Sequence, residues 1–315
     1  MRGITVPTVH AGHAIGVDLG GTKILAGVVN RDGTVVRRHE RPTPQDSQDH
    51  VLSELEAAVA ELLDESVAAV GVGAPSPIDQ ERGVVVHCVN LPLQDAFVRD
   101  RMQERFGIPV GLDNDANAAA IGEWRAGAGQ GEDDLLMLTL GTGVGGGVIS
   151  GGKPFRGRNG VGAEFGHVVI VHGGRPCQGA CTGHGHLETY VSGSAVTAAA
   201  REAFGPSADA HRLVRLANEG DAKAKQLLEE VARHLGSGIG SFVNVFGPQL
   251  VVLGGGFGVA GYDYLRGPAE EVALQEALEP MRSSVRLARA ELGTAAGLIG
   301  AAFVGFEALD AAETA

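Results

Sequence analysis

Short apolar runs alternate along the chain with longer segments whose apolar residues recur with helical periodicity. The apolar runs predict strands at 14–19, 24–29, 34 onward, 67–73, 84–89, 109–112, 135–140, 148 onward and 250–253. The periodic segments predict helices at 50–65, 95–106, 116–125, 222–246 and 295–309. Strands that alternate with helices in this way indicate an α/β protein with largely covered sheets.

A strand, a glycine-rich turn and a second strand occur twice in the sequence. The first turn is Gly20-Gly21-Thr22-Lys23, and the second runs from Gly141 to Gly147. The two units lie about 120 residues apart, which is too long for a solenoid repeat of 20–50 residues and indicates two similar α/β halves. A third glycine run, at 254–256, follows the predicted strand at 250–253.

Composition and charge narrow the class of protein. Glycine supplies 49 of 315 residues, about twice the usual share, and no collagen-like period explains the excess. The net charge of −13 argues against a nucleic-acid partner, because affinity for phosphate backbones needs clustered Lys and Arg. Three cysteines do not make a disulfide framework. No apolar run approaches the roughly 20 residues of a membrane span, and no signal peptide is evident, so we expect a soluble cytoplasmic protein.

The glycine turns are candidate phosphate sites, because backbone N–H groups can approach phosphate oxygens where no Cβ blocks them. Taken singly, each is also typical of a plain hairpin. Neither of the first two is a Walker A loop, since the spacing differs and a strand follows. No G-x-G-x-x-G opens a helix, which disfavours a Rossmann site. Three such turns at the ends of three strands favour nucleotide binding.

The order and spacing of these motifs carry a family resemblance. Asp18-Leu19-Gly20-Gly21-Thr22-Lys23, the turn that follows Leu140 and Leu253-Gly254-Gly255-Gly256 resemble the two phosphate motifs and the adenosine motif of the sugar-kinase, actin and heat-shock ATPase superfamily. Within it, the chain resembles the ROK family, especially bacterial ROK glucokinases, over nearly its whole length. The resemblance implies two actin-like ATPase (ribonuclease H-like) domains with the active site in the cleft between them. We expect a flexible lead-in at 1–12, a small domain at 13–116 completed by a helix at 298–311, and a large domain at 117–297 that carries a zinc loop at 167–188.

The resemblance also implies how the nucleotide is bound. Asp18 would hold Mg²⁺ through water. The β- and γ-phosphates of ATP would be enclosed by Gly20, Gly21, Thr22 and Lys23 together with Gly141, Thr142, Gly143 and Gly145. The adenosine would lie beside Gly254, Gly255 and Gly256. Phosphoryl transfer depends mainly on positioning and charge neutralisation, so backbone amides, a metal and one carboxylate suffice.

Asn114-Asp115 lies where a predicted strand meets a predicted helix. Alone, such an aspartate is typical of a helix N-cap. The surrounding DNDANAAA stretch resembles the ROK catalytic segment, whose aspartate accepts the proton of the attacking sugar hydroxyl. Asp115 is therefore the candidate catalytic base, and a helix N-terminus favours its charged form.

The same resemblance implies the contacts to a sugar. Asn90 and Asn114 would bind hydroxyls, and Glu164, His167 and Glu188 would bind the anomeric side of the ring. Taken singly, Asn90 is typical of a turn and Glu188 of a solvated helix. Ser76, within Ala74-Pro75-Ser76-Pro77, stands where ROK glucokinases usually have glycine. This extra side chain beside the sugar leaves the choice of hexose open.

Two of the three cysteines lie close together in a histidine-rich segment. A structural Zn²⁺ site fits such a segment better than a disulfide in a reducing compartment. ROK proteins carry a histidine followed ten residues later by C-x-C-G-x-x-G-C-x-E. This chain has two extra residues between the first two cysteines and histidine in place of the last. The implied ligands are His167, Cys177, Cys181 and His186, with His184 as a substitute for the fourth; a metal-free loop is the alternative.

Together these features predict an ATP- and Mg²⁺-dependent hexose kinase that acts on the 6-hydroxyl of glucose. An N-acetylhexosamine, mannose or fructose kinase, a polyphosphate donor, and a non-catalytic sugar-binding regulator remain alternatives. A ROK repressor is disfavoured, because only about 13 residues precede the first strand and the chain lacks a basic stretch. The resemblance implies a homodimer or higher homo-oligomer, with no nucleic-acid or membrane partner.

Overall fold

The computed structural model describes residues 12–158, 160–179 and 181–314. They form two compact units, one comprising 12–115 and 301–314 and the other 116–300. Of the lead-in expected at 1–12, all but Gly12 lies outside the described residues.

Within the described residues, the first unit contains eight strands and two complete helices. The strands are β1 (His13–Leu19), β2 (Lys23–Val29), β3 (Val35–Pro42), β4 (Val67–Ala74), β5 (Ile78–Asp79), β6 (Val84–His87), β7 (Gln94–Ala96) and β8 (Val110–Asn114). The helices are α1 (Gln48–Ala60) and α2 (Val98–Phe106). The main sheet has the order β3-β2-β1-β4-β8, and β5, β6 and β7 form a small separate sheet. In the main sheet β2 is antiparallel to both of its neighbours, β1 and β3, whereas β4 is parallel to both of its neighbours, β1 and β8.

The second unit contains the remaining strands and most of the helices. Its strands are β9 (Leu135–Leu140), β10 (Val144–Ser150), β11 (Lys153–Pro154), β12 (Leu250–Gly254) and β13 (Arg286–Arg289), in the order β11-β10-β9-β12-β13. Its helices are α3 (Asp115–Ala126), α4 (Glu188–Val191), α5 (Gly193–Phe204), α6 (Ala210–Asn218), α7 (Ala222–Phe246), α8 (Gly256–Glu276) and α9 (Met281–Ser284). The last helix, α10 (Ala296–Thr314), begins here and ends in the first unit.

The two main sheets share a local topology. In each, an antiparallel hairpin (β1–β2 or β9–β10) is followed by a strand parallel to the first member of the hairpin (β4 or β12). The strand–turn–strand unit found twice in the sequence therefore begins each sheet. The predicted α/β class is confirmed.

The last helix lies directly on the first unit's sheet. A Cβ added at Gly71 of β4 would overlap the carbonyl oxygen of Ala301, and one at Gly111 of β8 would overlap that of Val304. Only glycine allows α10 to approach these strands so closely. The segment Gly293–Thr314 is long and apolar enough to cross a membrane by length and composition, so the expectation of no such segment is corrected. Most of it is buried within the protein, as in a core helix.

Several predicted boundaries are wrong. Helix α1 ends at Ala60 rather than at residue 65, because Asp64 accepts a hydrogen bond from the Ser66 N–H and forms the turn into β4. Residues 94–96 are not helical, since they pair with β6, and α2 begins only at Val98. The second glycine turn is also shorter than predicted, because β10 already begins at Val144.

Candidate active site

The candidate residues fall into two groups, one in each unit. Those before residue 116 are Asp18, Gly20, Gly21, Thr22, Lys23, Ser76, Asn90, Asn114 and Asp115; the others belong to the second unit.

The first glycine turn joins β1 to β2 and is held in place by residues that follow β3. The Gly20 N–H donates to the Lys23 carbonyl (2.9 Å) and closes the turn. The Thr43 hydroxyl donates to the Gly20 carbonyl (2.8 Å), and the Gln45 amide donates to that of Gly21 (2.7 Å). A Cβ at Gly21 would meet open space. The turn is thus fixed through its carbonyls and exposed to an approaching ligand.

Asp18, near the end of β1, has a perturbed acidity. Burial raises the pKa of Asp18 to about 6, and the negative charge of Asp115 adds to the increase, while Lys23 opposes it. Two carboxylates that disfavour each other's charge are stabilised by a cation. Carboxylate oxygens are ligands that Mg²⁺ prefers, so Asp18 fits the role of holding a magnesium ion directly or through water.

Around Asn114, the ends of β4 and β8 come together. These strands are parallel, with Ala74 opposite Asn114, and the Asn114 amide donates to the Ser76 carbonyl (3.3 Å). The Ser76 hydroxyl donates to the His87 carbonyl (2.9 Å) and accepts from the His87 N–H (3.2 Å). The hydroxyl that distinguishes this position from glycine is therefore engaged by β6.

Asn90 lies on the exposed loop that follows β6. Two residues earlier, the thiol of Cys88 donates to the Pro75 carbonyl (3.3 Å). This contact tethers the Asn90 loop beside Ser76, and thus beside the segment that carries Asn114 and Asp115. Asp115 itself is the first residue of α3.

The second glycine turn consists of Gly141-Thr142-Gly143. The Gly141 N–H donates to the Gly143 carbonyl (3.0 Å), and the Gly193 N–H donates to that of Gly141 (2.7 Å). The Val144 N–H donates to Glu188 Oε2 (2.8 Å).

The glycines that follow this turn belong to β10 and serve packing. A Cβ at Gly147 would lie 2.6 Å from the Cβ of Ala120 in α3, and one at Gly145 would lie 3.1 Å from that of Ala116. They allow α3 to lie against the strand. This packing role, rather than a turn, explains why glycine continues beyond residue 143.

The third glycine run joins β12 to α8. Gly255 has a φ of 77°, and a Cβ there would lie 2.6 Å from backbone atoms of Leu140. Gly256 is the first residue of α8, a 21-residue helix. A helix N-terminus offers unpaired N–H groups and a positive dipole end, which suit an anion.

A cavity of about 560 Å³ lies between the second and third glycine runs, within the usual size range of ligand pockets, roughly 300–1,000 Å³. It is lined by Gly141, Thr142, Gly193, Ser194, Thr197, Arg201, Asp209, Ala210, His211, Gly256 and Phe257. Arg201 and His211 were not predicted as site residues, because they lie in α5 and α6, which the apolar pattern did not predict. Besides the backbone turns, the lining offers the Arg201 guanidinium and the hydroxyls of Ser194 and Thr197, which suit a phosphorylated ligand, together with the Asp209 carboxylate.

The four predicted zinc ligands converge. One ligand atom from each of His167, Cys177, Cys181 and His186 lies within 4.8 Å of all the others. His167 Nδ1 lies 3.4 Å from His186 Nδ1 and 3.7 Å from Cys177 Sγ, and Cys181 Sγ lies 3.7 Å from His186 Nδ1. Tetrahedral zinc places neighbouring N and S ligand atoms about 3.3–3.8 Å apart. The donor set fits zinc, and it contains His186 rather than the exposed His184.

The metal cluster adjoins the predicted sugar residues of the second unit. Glu164 directly precedes a turn of 3₁₀ helix, Phe165–His167, of which His167 is the last residue. With Nδ1 of His167 directed into the cluster, its Nε2 lies on the opposite side of the ring. Glu188 begins α4 two residues after His186. The structure therefore brings the metal ligands and two candidate sugar residues into one segment.

Comparison with known proteins identifies relatives that match most of the chain. The glucokinase of Thermotoga maritima is 34% identical over 307 residues, covering 92% of this chain and 96% of the relative. An N-acetyl-D-glucosamine kinase of Shigella boydii is 32% identical, covering 92% of this chain and 98% of the relative.

Solved structures agree with this result. A ROK hexokinase from Thermus thermophilus is 39% identical, with a TM-score of 0.81 and coverage of 95% of this chain and 99% of that one. A ROK family glucokinase from Streptomyces griseus, in complex with glucose and AMPPNP, is 36% identical, with a TM-score of 0.80 and coverage of 94% and 100%. These neighbours confirm the predicted actin-like ATPase fold. The ROK family profile matches residues 14–306, and the chain therefore belongs to the ROK family.

Proposed function

We propose that this chain is an ATP-dependent sugar kinase that phosphorylates the 6-hydroxyl of glucose, with Asp115 as the general base. The observation that carries the proposal is the position of Asp115: it begins α3 beside Asn114, and its charge acts on Asp18. Membership of the ROK family and the relatives named glucokinase support the sugar-kinase activity.

The proposed reaction uses the Asp115 carboxylate as its base and a magnesium ion near Asp18. Asp115 accepts the proton of the sugar hydroxyl, whose oxygen bonds to the γ-phosphorus as the bond to the β-phosphate oxygen breaks and ADP leaves. The N-terminal end of α3 favours the charged carboxylate. Asp18 would hold the magnesium ion, which would supply neutralisation of the charge that develops on the transferred phosphoryl group.

The two glycine turns and the cavity supply the donor site of this proposal. The turn at Gly20–Lys23 and the turn at Gly141–Gly143 would enclose the phosphates. The cavity beside Gly256 would take the nucleoside, with Arg201 and His211 as additional contacts. The AMPPNP bound to the Streptomyces griseus glucokinase supports ATP as the donor.

Glucose is favoured as the acceptor over N-acetylglucosamine, mannose and fructose. The Ser76 hydroxyl is engaged by the His87 backbone, so serine at this position does not project a new group toward the sugar. His167 and Glu188 would contact the anomeric side, with His167 oriented by a structural zinc ion through Nδ1. N-acetylglucosamine is the second candidate, because N-acetyl-D-glucosamine kinases are also among the relatives.

Asp115→Asn tests the proposed base. We expect kcat to fall at least about 10²-fold, the lower limit for a general base, while AMPPNP and glucose still bind, because the amide is nearly isosteric. Asp32→Asn, at an exposed carboxylate of the same unit, is the control and should retain wild-type turnover. An Asp115→Asn enzyme with near wild-type kcat would remove Asp115 from the mechanism.

A further inference from the structure

Glu188 makes a contact that sugar binding does not explain. Its Oε2 accepts a hydrogen bond from the Val144 N–H at 2.8 Å. Val144 is the first residue of β10 and directly follows the turn Gly141–Gly143. One carboxylate oxygen of a candidate sugar residue is therefore attached to the backbone of a candidate phosphate turn.

The same carboxylate also lies against Gly143. The three atoms nearest to a Cβ built at Gly143 all belong to the Glu188 carboxyl group, and Oε2 would overlap it. Gly143 has no positive φ, so an ordinary residue could adopt its backbone conformation. The contact with Glu188, and not backbone strain, is what excludes a side chain here.

Two successive helices are attached to the turn. Glu188, the first residue of α4, holds Val144, and Gly193, the first residue of α5, donates its N–H to the Gly141 carbonyl (2.7 Å). The start of α4 is itself anchored, because the Thr189 hydroxyl donates to the His186 carbonyl (2.8 Å). The turn is thus fixed from the segment that contains the metal ligands.

We propose that Glu188 is a positioning residue for the phosphates of the nucleotide: by holding the Val144 N–H it fixes the turn at 141–143 in its phosphate-binding conformation. The proposal rests on the proposed function for the assignment of this turn to the β- and γ-phosphates. Its consequence is that Glu188 contributes to nucleotide binding before any sugar is present.

The test measures nucleotide binding without sugar, by calorimetry with AMPPNP and AMP. Glu188→Ala should weaken AMPPNP binding at least about fivefold, because a hydrogen bond to a charged acceptor is lost. Binding of AMP, which lacks the β- and γ-phosphates, should stay within about twofold of wild type by the same reasoning. Glu188→Gln keeps an acceptor oxygen for the Val144 N–H and should restore AMPPNP binding. Glu219→Ala, at an exposed carboxylate of the same unit, is the control and should leave sugar-free AMPPNP binding unchanged.

Gly143→Ala perturbs the contact between Glu188 and the turn by changing the turn instead of Glu188. The added methyl should displace the Glu188 carboxylate and weaken AMPPNP binding as much as Glu188→Ala does. The double variant should show the same loss as either single variant and not their product, because both remove one interaction. This variant and Glu188→Gln keep the test decisive should Glu188→Ala fail to fold.

The outcomes separate this proposal from the proposed function. Unchanged or tighter AMPPNP binding by Glu188→Ala, or losses that multiply in the double variant, would overturn the positioning role while leaving a working kinase. Failure of the proposed function would show differently, since wild-type protein would then bind no AMPPNP or would release no ADP in the presence of any hexose.

Discussion

Replacing Asp18 with asparagine should stabilise the protein, although it removes the carboxylate that we propose to hold Mg²⁺. Burial and the neighbouring Asp115 raise the pKa of Asp18 from 3.8 to about 6. In the folded protein the charged form is therefore disfavoured relative to the unfolded chain. An asparagine side chain has nearly the same shape as aspartate without the charge, so the variant isolates the electrostatic cost of this position.

The size of this electrostatic cost follows from the shift in the pKa of Asp18. A difference of roughly two pKa units corresponds to about 3 kcal/mol, at 1.36 kcal/mol per unit. Below pH 3.8 Asp18 is protonated in both states and costs nothing. As the pH rises, the unfolded chain loses the proton first, so wild-type stability falls and the full cost persists above pH 6. Asp18→Asn should exceed wild type in the free energy of unfolding by roughly 1.5 kcal/mol at pH 5 and by at most about 3 kcal/mol at pH 8.

Urea unfolding followed by circular dichroism, without Mg²⁺ or nucleotide, measures both values. Asp64→Asn provides a control of opposite sign. Hydrogen bonds from Ser66 lower the pKa of Asp64 to about 2, assisted by Arg37, so this carboxylate contributes stability at both pH 5 and pH 8 and loses it only as the pH falls toward 2. A stability gain of Asp18→Asn that is absent at pH 8, or equal at the two pH values, would refute the electrostatic explanation.

Two further predictions concern the metal cluster and the packing of α10. Protein purified without chelator should contain about one zinc ion per chain by elemental analysis, as a tight structural site requires. His186→Ala should lose the zinc ion, whereas His184→Ala should keep it. The reverse result would show that His184, and not His186, is the fourth ligand. Gly71→Ala should lower the free energy of unfolding by about 1–3 kcal/mol, because its methyl would overlap the Ala301 backbone. Wild-type stability of Gly71→Ala in urea unfolding would contradict the close approach of α10.

The best-predicted helix shows what the sequence encodes locally. The predicted limits 222–246 are those of α7. The N-cap Asp221 accepts from the Ala224 N–H, and Gly247 ends the helix in the left-handed conformation. Both ends thus carry their own start and stop residues, and neither depends on distant contacts.

Helix α8 shows the opposite case. Pro268 lies inside it, with several glycines before that, and both residue types disfavour a helix locally. Its partner α7 explains why it forms: a Cβ at Gly240 would lie 2.7 Å from the Glu276 Cβ, so the two helices pack at close range. A local sequence pattern cannot predict such tertiary packing.

The residues of the candidate site also divide into those with a local sequence signal and those placed only by tertiary structure. The glycine turns could be located because each follows an apolar strand, and the Cys/His spacing pointed to four ligands. Thr43, Gln45, Arg201 and His211 could not be found, because they are ordinary residue types that reach the turns or the cavity only through the fold. The contact of Glu188 with Val144 spans 44 positions and likewise has no local pattern.

We propose the 6-hydroxyl of glucose as the acceptor of the phosphoryl group. The direct test incubates the protein with Mg·ATP and, separately, glucose, N-acetylglucosamine, mannose and fructose, measures ADP release, and identifies the product by NMR. We predict a sugar-dependent rate with the highest kcat/KM for glucose and a product phosphorylated at carbon 6. A higher kcat/KM for another sugar, or phosphate at carbon 1, would contradict it.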